Sequence, residues 1–375
     1  KRSCVVAMAR PIKTRRLQDE FDGGAWLPTS VVTKLDSEAS LGDDFASKKN
    51  QGKFVNPWMD HEMFKGKAFK VLKFMYESKT KRASLPSQEE LDKYLPLSQT
   101  NWNLISAPPP SSITLTWIGH SSFLVQIGGL NFLTDPVFSN RASPVPFMGP
   151  WRYAKLPFGV EKLPKIDFVV ISHSHYDHLD LDTVRKLGNG PVWYVGLGLK
   201  EWFLGEGITN VVEMDWWQSV KFGKSNVEIT CTPCQHWSAR TPFDACKTLW
   251  CSWVVRDAGG PTFFFAGDTA HCPVFEEIRR RVGKIHCSLI PIGAYLPRKF
   301  MKDHHASPED AVQIHLALGS SWSVGCHWGT LRQKALEHVL DPPKVVQAEL
   351  ERRKMKPTDF EVMKHGETRG IVVQG

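Results

Sequence analysis

No stretch of this chain approaches the roughly 18 to 20 consecutive apolar residues that span a bilayer as a helix, so no integral membrane helix is expected. No secretory hydrophobic region precedes its eight cysteines, Cys4, Cys231, Cys234, Cys246, Cys251, Cys272, Cys287 and Cys326, which are therefore read as reduced intracellular thiols. Cys231 and Cys234 form a Cys-x-x-Cys, but no second pair with zinc spacing follows; thiols packed beside the His236 loop are expected rather than a zinc ribbon. The opening stretch to Gln18 has no acidic residue while carrying Lys1, Arg2, Arg10, Lys13, Arg15 and Arg16. That suits a solvated tail, a lipid-attracting basic arm or the remnant of a mitochondrial transit sequence. Residues 1–53 lack sustained hydrophobic periodicity and are expected to form a disordered basic extension.

What is present suffices for one large core. At 375 residues and 42% hydrophobic content, the chain suits a single catalytic domain behind that extension, although length alone would allow two domains. The formal net charge of +8 favours an anionic partner, nucleic acid or a lipid surface, and serves ordinary solubility equally well. The 14 tryptophans lean towards a lipid interface, where amphipathic rings settle. Basic residues are scattered and no aromatic-basic module appears, so no nucleic-acid partner is expected.

Residues 173–178 read His173-Ser174-His175-Tyr176-Asp177-His178, four candidate metal ligands within six positions. The preceding Ile166 to Ile171 is a short β-branched apolar run with the pattern of a buried strand. The ligands are then expected on the loop at its C-terminal end, where open α/β sheets place their sites. A strand continuing through His173 and His175 would put both imidazoles on one side for one ion, while adjacent Asp177 and His178 point elsewhere, towards a second. A catalytic metal needs three or four protein ligands. Three further candidates end strand-like runs: His236 in Thr232-Pro233-Cys234-Gln235-His236-Trp237, Asp268 in Phe263 to Thr269, and His327 in Trp322 to Gly329. Each alone reads as a turn or capping residue; jointly they read as a ligand set.

Around these candidates the pattern is mixed α/β. Ile113 to Trp117, Phe123 to Ile127 and Leu130 to Thr134 read as strands, the last two joined by a Gly128-Gly129 hairpin turn. Pro108-Pro109-Pro110 marks a boundary before them. Ser307-Pro308-Glu309-Asp310 opens a helix, with an N-cap, proline at the first helical position and acids in the first turn. Phe64, Ala68, Val71, Leu72, Met75 and Tyr76 recur at helical spacing, with Lys70 and Lys73 on the other face, predicting an amphipathic helix that lies in a membrane interface, docks on the catalytic domain, or does both in part.

The His-x-His-x-Asp-His motif formed by His173, His175, Asp177 and His178, with the later His236, Asp268 and His327, resembles the signature of the metallo-β-lactamase-fold hydrolases. Other stretches narrow the resemblance to the N-acylphosphatidylethanolamine-hydrolysing phospholipase D family: Phe54-Val55-Asn56-Pro57-Trp58, Leu133-Thr134-Asp135-Pro136, Met148-Gly149-Pro150, Asp215-Trp216-Trp217, Gln235-His236-Trp237, Pro291-Ile292-Gly293-Ala294-Tyr295, His327-Trp328-Gly329-Thr330 and Lys364-His365-Gly366-Glu367. It runs from about Phe54 to near the C-terminus. It implies an α/β fold, the αββα sandwich of two facing mixed β-sheets with helices on the outer faces, the metals lying at one sheet edge. The division it implies is an extension at 1–53, a family-specific segment with the amphipathic helix at 54–110 and the catalytic domain at 111–375.

The resemblance also implies the chemistry. His173, His175 and His236 would hold one ion, Asp177, His178 and His327 the other, and Asp268 would bridge them; two Zn2+ suit such a nitrogen and oxygen set, with Fe or Mn as alternatives. A water shared by two such ions has its pKa lowered towards about 7, so hydroxide is available to attack phosphorus, releasing N-acylethanolamine and leaving phosphatidic acid. Asp177 would orient that hydroxide as well as bind metal. His305 resembles a family position near the active site, with a role towards phosphate or leaving group; His304 and Ala306 beside it depart from the mammalian-type pattern, which has Gln and Val there. Phe147 and Met148, in the apolar loop Pro144 to Met148, are expected to meet acyl chains or the membrane surface, although Pro146-Phe147 stands where that pattern has Gln-Tyr. His315 is a weaker candidate for the substrate pocket, with a core role the stronger reading. The implied partner is a membrane phospholipid met by peripheral association. A homodimer is left open, as is a different substrate, a nucleic-acid phosphodiester, lactone or thioester.

Overall fold

A computed structural model describes residues 33–34, 45–58, 67–145 and 147–373, with backbone alone for 33–34 and 67–71. Two sheets face each other. The eight-stranded sheet runs, edge to edge, Thr33–Lys34, Gln218–Lys221, Val227–Thr232, Ser252–Asp257, Thr262–Phe265, Cys287–Pro291, Ser323–Cys326 and Phe360–Glu361. The seven-stranded sheet runs Thr368–Val372, Ser112–Gly119, Ser122–Ile127, Leu130–Thr134, Phe168–Val170, Val192–Gly196 and Val211–Met214. Each begins antiparallel and turns parallel, at Thr262–Phe265 with Cys287–Pro291 in one and at Leu130–Thr134 with Phe168–Val170 in the other. This is the expected αββα layering.

Strand alternation explains why the layers hold. Phe132, Phe168 and Tyr194 point between the sheets, while Leu133, Val169, Ile171 and Trp193 point outwards into a second core with Val184 and Phe203 of the helices Leu181–Leu187 and Lys200–Gly205. Such strands are buried on both faces, which is why their sequence is continuously apolar rather than alternating. Phe132 stacks on its neighbour Phe168 at 4.6 Å between centroids and meets Phe263 of the opposite sheet edge-on at 5.6 Å. On the other outer face, helices Val274–Val282, Pro308–Leu318 and Asp341–Arg353 close the sandwich.

The hairpin at Gly128 and Gly129 forms as expected, both residues at positive φ. Ser307 caps the helix Pro308–Leu318, its Oγ accepting from the Asp310 N–H at 3.2 Å while Asp310 reaches back to the Ser307 N–H. Two expectations are corrected. The first boundary, at residue 53, cuts a hairpin: Lys48–Asn50 pairs with Lys53–Val55, and Thr33–Lys34 extends the eight-stranded sheet. Strands of two and three residues are too short to carry periodicity, and Thr33–Lys34 finds its partner far along the chain; Asn56 beside them donates to the His236 carbonyl at 2.6 Å. Secondly, in the helix Lys67–Thr80 the buried contacts among the described side chains are made by Phe74 and Ser78, not by Leu72, Met75 and Tyr76 of the expected stripe. Phe74 stacks on Phe300 at 4.2 Å and Ser78 donates to the Lys334 carbonyl, while Leu72, Met75 and Tyr76 are 64%, 52% and 66% exposed. The stripe's Phe64 and the side chains of Ala68 and Val71 lie outside what is described. The helix therefore docks through one face and presents an apolar one outwards.

The inter-sheet aromatic contact predicts that Phe132→Ala leaves a cavity that the sheets cannot close, lowering stability by about 3–5 kcal/mol in denaturant unfolding. A loss below ~1 kcal/mol would show that the layers close on it.

Candidate metal centre

All the candidate ligands leave strand ends at one edge of the sandwich. Beyond Phe168–Val170 the chain does not continue as a strand: Ile171 still donates to the Tyr194 carbonyl at 3.0 Å, and residues 174–178 then fold into a turn in which the N–H groups of His178 and Leu179 reach the His175 carbonyl at 3.1 and 2.8 Å. His173 and His175 meet through this turn, not through strand pleating, with His173 Nε2 2.8 Å from His175 Nδ1. His236, arriving from Val227–Thr232, brings its Nε2 to 3.3 Å from the same Nδ1. A second group gathers Asp177, His178 and His327 together with His120, their donor atoms all within 4.8 Å of one another. Asp268 sits between the groups. Its Oδ2 lies 3.2 Å from His178 Nε2, 3.1 Å from His327 Nε2, 3.7 Å from His236 Nε2 and 3.9 Å from His173 Nε2.

The backbone makes this approach possible. Gly267, before Asp268, has φ +61°, and a Cβ there would lie 2.5 Å from the Ser172 Cβ, so the Asp268 and His173 loops meet only over glycine. Asp135, His120 and His327 also have positive φ although none is glycine. Such conformations cost on the order of 1–3 kcal/mol each and persist where surrounding contacts impose them.

Hydrogen bonds on the far nitrogens set which atom faces the centre. His178 Nδ1–H donates to Asp135 Oδ2 at 2.7 Å, His173 Nδ1–H to Ser172 Oγ at 2.9 Å, and His236 Nδ1–H to the His304 carbonyl at 2.8 Å. Each turns Nε2 inwards as the atom that faces the centre. Asp135 is itself held by the Ser172 N–H at 2.7 Å and hydroxyl at 2.5 Å. Partners of this kind orient metal-binding imidazoles and raise their basicity.

Comparisons with known proteins agree with this arrangement. Residues 130–328 match the family described as Beta-lactamase superfamily domain. N-acyl-phosphatidylethanolamine-hydrolyzing phospholipase D 1 of Caenorhabditis elegans is 39% identical over 77% of this chain and 84% of its own length. The chain belongs to this phospholipase D family of the metallo-β-lactamase superfamily. The mitochondrial N-acyl-phosphatidylethanolamine-hydrolyzing phospholipase D of Saccharomyces cerevisiae is 30% identical over 78% of this chain and 70% of its own. The solved structure of Igni18, a metallo hydrolase from Ignicoccus hospitalis, superposes with a TM-score of 0.53 at 21% identity, covering 70% of this chain and all of that one, which bears on the fold.

The chain is thus a metal-dependent hydrolase, and the electrostatics of its centre fit a cation. Burial holds His173 and His236 well below the ordinary imidazole value and His175 at about 4. Against the same burial, Asp268 and Asp177 push His178 well up and His327 to about 9, while His178 helps to hold both carboxylates well below their usual range. His178 Nε2 and Asp268 Oδ1 are buried without a hydrogen-bond partner. A buried polar group left so is destabilising by about 1–3 kcal/mol, and a cation shared among these donors removes that penalty.

His305 also reaches the centre: its Nδ1 is 3.8 Å from Asp268 Oδ2 and its ring 5.1 Å from that of His236, on a segment whose His305 carbonyl accepts from Arg298 at 2.8 Å. Phe147 and Met148 are exposed, on a loop tied to the centre's rim by the Arg332 N–H donating to the Trp151 carbonyl at 2.8 Å. His315 is not a pocket residue; it is buried under its helix, its Nδ1 2.8 Å from Ser323 Oγ. Cys231 and Cys234 are buried thiols raised by burial, the latter 3.6 Å from the Asp268 carbonyl. Asp135, within a family stretch, and His120 and Gln333 join the centre without a local sequence signal for that role; Gln333 Nε2 is 3.1 Å from His327 Nε2 and 3.4 Å from Asp177 Oδ2. A cavity of about 940 Å³ lined by Tyr94, Trp117, Trp328, Met363 and His365 includes none of the candidate ligands.

Asp135→Asn offers His178 Nδ1–H a weaker acceptor and should lower metal affinity about 10–100-fold, measured by chelator competition; unchanged affinity would remove Asp135 from the centre. Metal binding must also displace the protons that His178 and His327 hold. Zinc titrated into metal-free protein at pH 7 should release protons, seen as a calorimetric enthalpy that varies with buffer, and affinity should rise as pH approaches about 9. The raised His327 value likewise stabilises the metal-free fold fully below pH 6.5, an increment lost as pH rises through about 9. A buffer-independent enthalpy would contradict the protonated pair.

Proposed function

We propose that this chain is a dinuclear zinc phosphodiesterase that hydrolyses N-acylphosphatidylethanolamine to N-acylethanolamine and phosphatidic acid. The observation that carries the reading is Asp268 Oδ2 set between two histidine groups, each completing a separate donor set, in a chain 39% identical to a relative named for that reaction. Imidazole nitrogen and carboxylate oxygen suit Zn(II), with Fe or Mn as alternatives. Two such ions, when bound, supply a water acidic enough to give hydroxide near neutral pH and neutralise charge on phosphoryl oxygens.

The remaining work falls to side chains. Asp177, whose carboxylate stays ionised beside His178, accepts a hydrogen bond that aims the attacking water at phosphorus. His305, kept neutral by burial at a pKa of about 3, offers an imidazole N–H to a phosphoryl or departing oxygen. For substrate approach, the exposed Leu72, Met75 and Tyr76 of the helix Lys67–Thr80 and the exposed Phe147, Met148 and Phe243 give the protein apolar surface to lay against lipid, with a net charge of +8 favouring anionic membranes. No helix among the described residues is long and apolar enough to cross a membrane, so peripheral attachment is the mode proposed.

Turnover of N-acylphosphatidylethanolamine vesicles in ¹⁸O-labelled water should place label in phosphatidic acid and none in N-acylethanolamine. Label in the alcohol would overturn attack at phosphorus, and hydrolysis of RNA or a lactone without lipid turnover would move the reading to another substrate. The paired change Leu72→Ser and Tyr76→Ser should weaken vesicle binding and vesicle turnover several-fold while leaving detergent-dispersed substrate unaffected; equal vesicle binding would remove this helix from the membrane surface.

A further inference from the structure

Asp177 belongs to the ligand motif, but nothing in the motif aims its carboxylate. It stands in the turn after His175 with its side chain 22% exposed, and its Oδ2 is approached by His327 Nε2 at 3.6 Å, His178 Nε2 at 3.9 Å, Gln333 Nε2 at 3.4 Å and His120 Nε2 at 3.3 Å. The nitrogens of His178 and His327 face the second ion's place and are unprotonated once it is filled, so they cannot donate to Asp177 at the same time. Gln333 reaches in from a half-buried loop. His120 is the anchored one.

Its anchoring is unusually complete. His120 is 1% exposed; its N–H donates to Thr330 Oγ1 at 2.6 Å, and its carbonyl accepts from Trp117 Nε1 at 3.0 Å and from the His327 N–H at 3.2 Å. Thr330 Oγ1 is in turn 2.9 Å from His365 Nε2. The ring lies 4.2 Å from that of His327 and 5.3 Å from that of His178. The backbone has φ +55°, a conformation glycine adopts without steric penalty, so turn geometry alone would favour glycine there. A carboxylate oxygen only accepts, so the hydrogen between the two groups belongs to Nε2.

We infer that His120 is a positioning residue of the second ion's site, its Nε2–H orienting the Asp177 carboxylate while its carbonyl holds the backbone of His327. One buried residue thereby aligns two of that ion's three unshared ligands, one through its ring and one through its backbone. The inference rests on the two-ion reading above, and it is tested without substrate.

The experiment loads metal-free parent, His120→Leu, His120→Gln and His120→Asn with zinc or cobalt(II). It then reads ion stoichiometry after chelator challenge, the cobalt absorption spectrum, and thermal melts of the metal-free proteins. The parent should retain two ions. His120→Leu should keep the ion of the His173, His175 and His236 group but hold the second about 10–100-fold more weakly, with a changed cobalt spectrum. His120→Gln, long enough to present an N–H near the place of Nε2, should restore most of the second ion, and the shorter His120→Asn should not. If His120→Leu fails to fold, Gln against Asn decides, and equal retention by the two overturns the inference. Two ions held by His120→Leu with the parent's affinity and spectrum also overturn it, leaving the two-ion reading intact. A parent that takes up a single ion defeats that reading and this inference with it.

Discussion

One buried carboxylate oxygen, Oδ2 of Asp268, lies 3.1 to 3.9 Å from the Nε2 atoms of four histidines drawn from three separate strand ends. A charge so placed is tolerable only if it is paired or coordinated. The surrounding architecture serves to keep it so. Gly267 lets its loop press against Ser172, and Ser172 holds Asp135, which fixes His178. Removing any of these contacts leaves a buried charge facing misdirected imidazoles.

The sandwich provides the stiffness this arrangement needs. Because the parallel strands are buried on both faces, Phe168 and Val170 against one core and Val169 and Ile171 against the other, the strand end that launches His173 has no freedom to tilt. The same edge receives His120, Asp135, His236, Asp268 and His327 from other strand ends. Elements outside the sandwich contribute as well: Asn56 holds the His236 carbonyl, and Arg82 donates to the Gln333 carbonyl at 3.0 Å. The segment before the first long strand is thus part of the centre's support as well as a carrier of exposed apolar surface.

That surface shows how one short helix can serve two neighbours. Phe74 and Ser78, four residues apart, lie on one face and join it to the body of the protein, whereas Leu72, Met75 and Tyr76 face away. Apolar periodicity alone cannot tell a stripe that packs from one that stays outside, because both obey the same spacing. The stack of Phe74 on Phe300 and the bond from Ser78 to the Lys334 carbonyl mark the face that docks.

The sequence by itself determined what local pattern encodes. The candidate ligand set of His173, His175, Asp177, His178, His236, Asp268 and His327, the strands before them, the Gly128-Gly129 hairpin and the Ser307 cap were all legible, because each depends on residue types at short spacing. It did not disclose that His173 and His175 meet through a turn, that His315 is bound to Ser323, or that Asp135, His120 and Gln333 stand around the ligands. The His120 contact with Asp177 spans 57 positions and that of Gln333 spans 156. Their side chains gain meaning only when strand ends remote in sequence are brought to one edge, and packing between the sheets, which no local periodicity encodes, decided that.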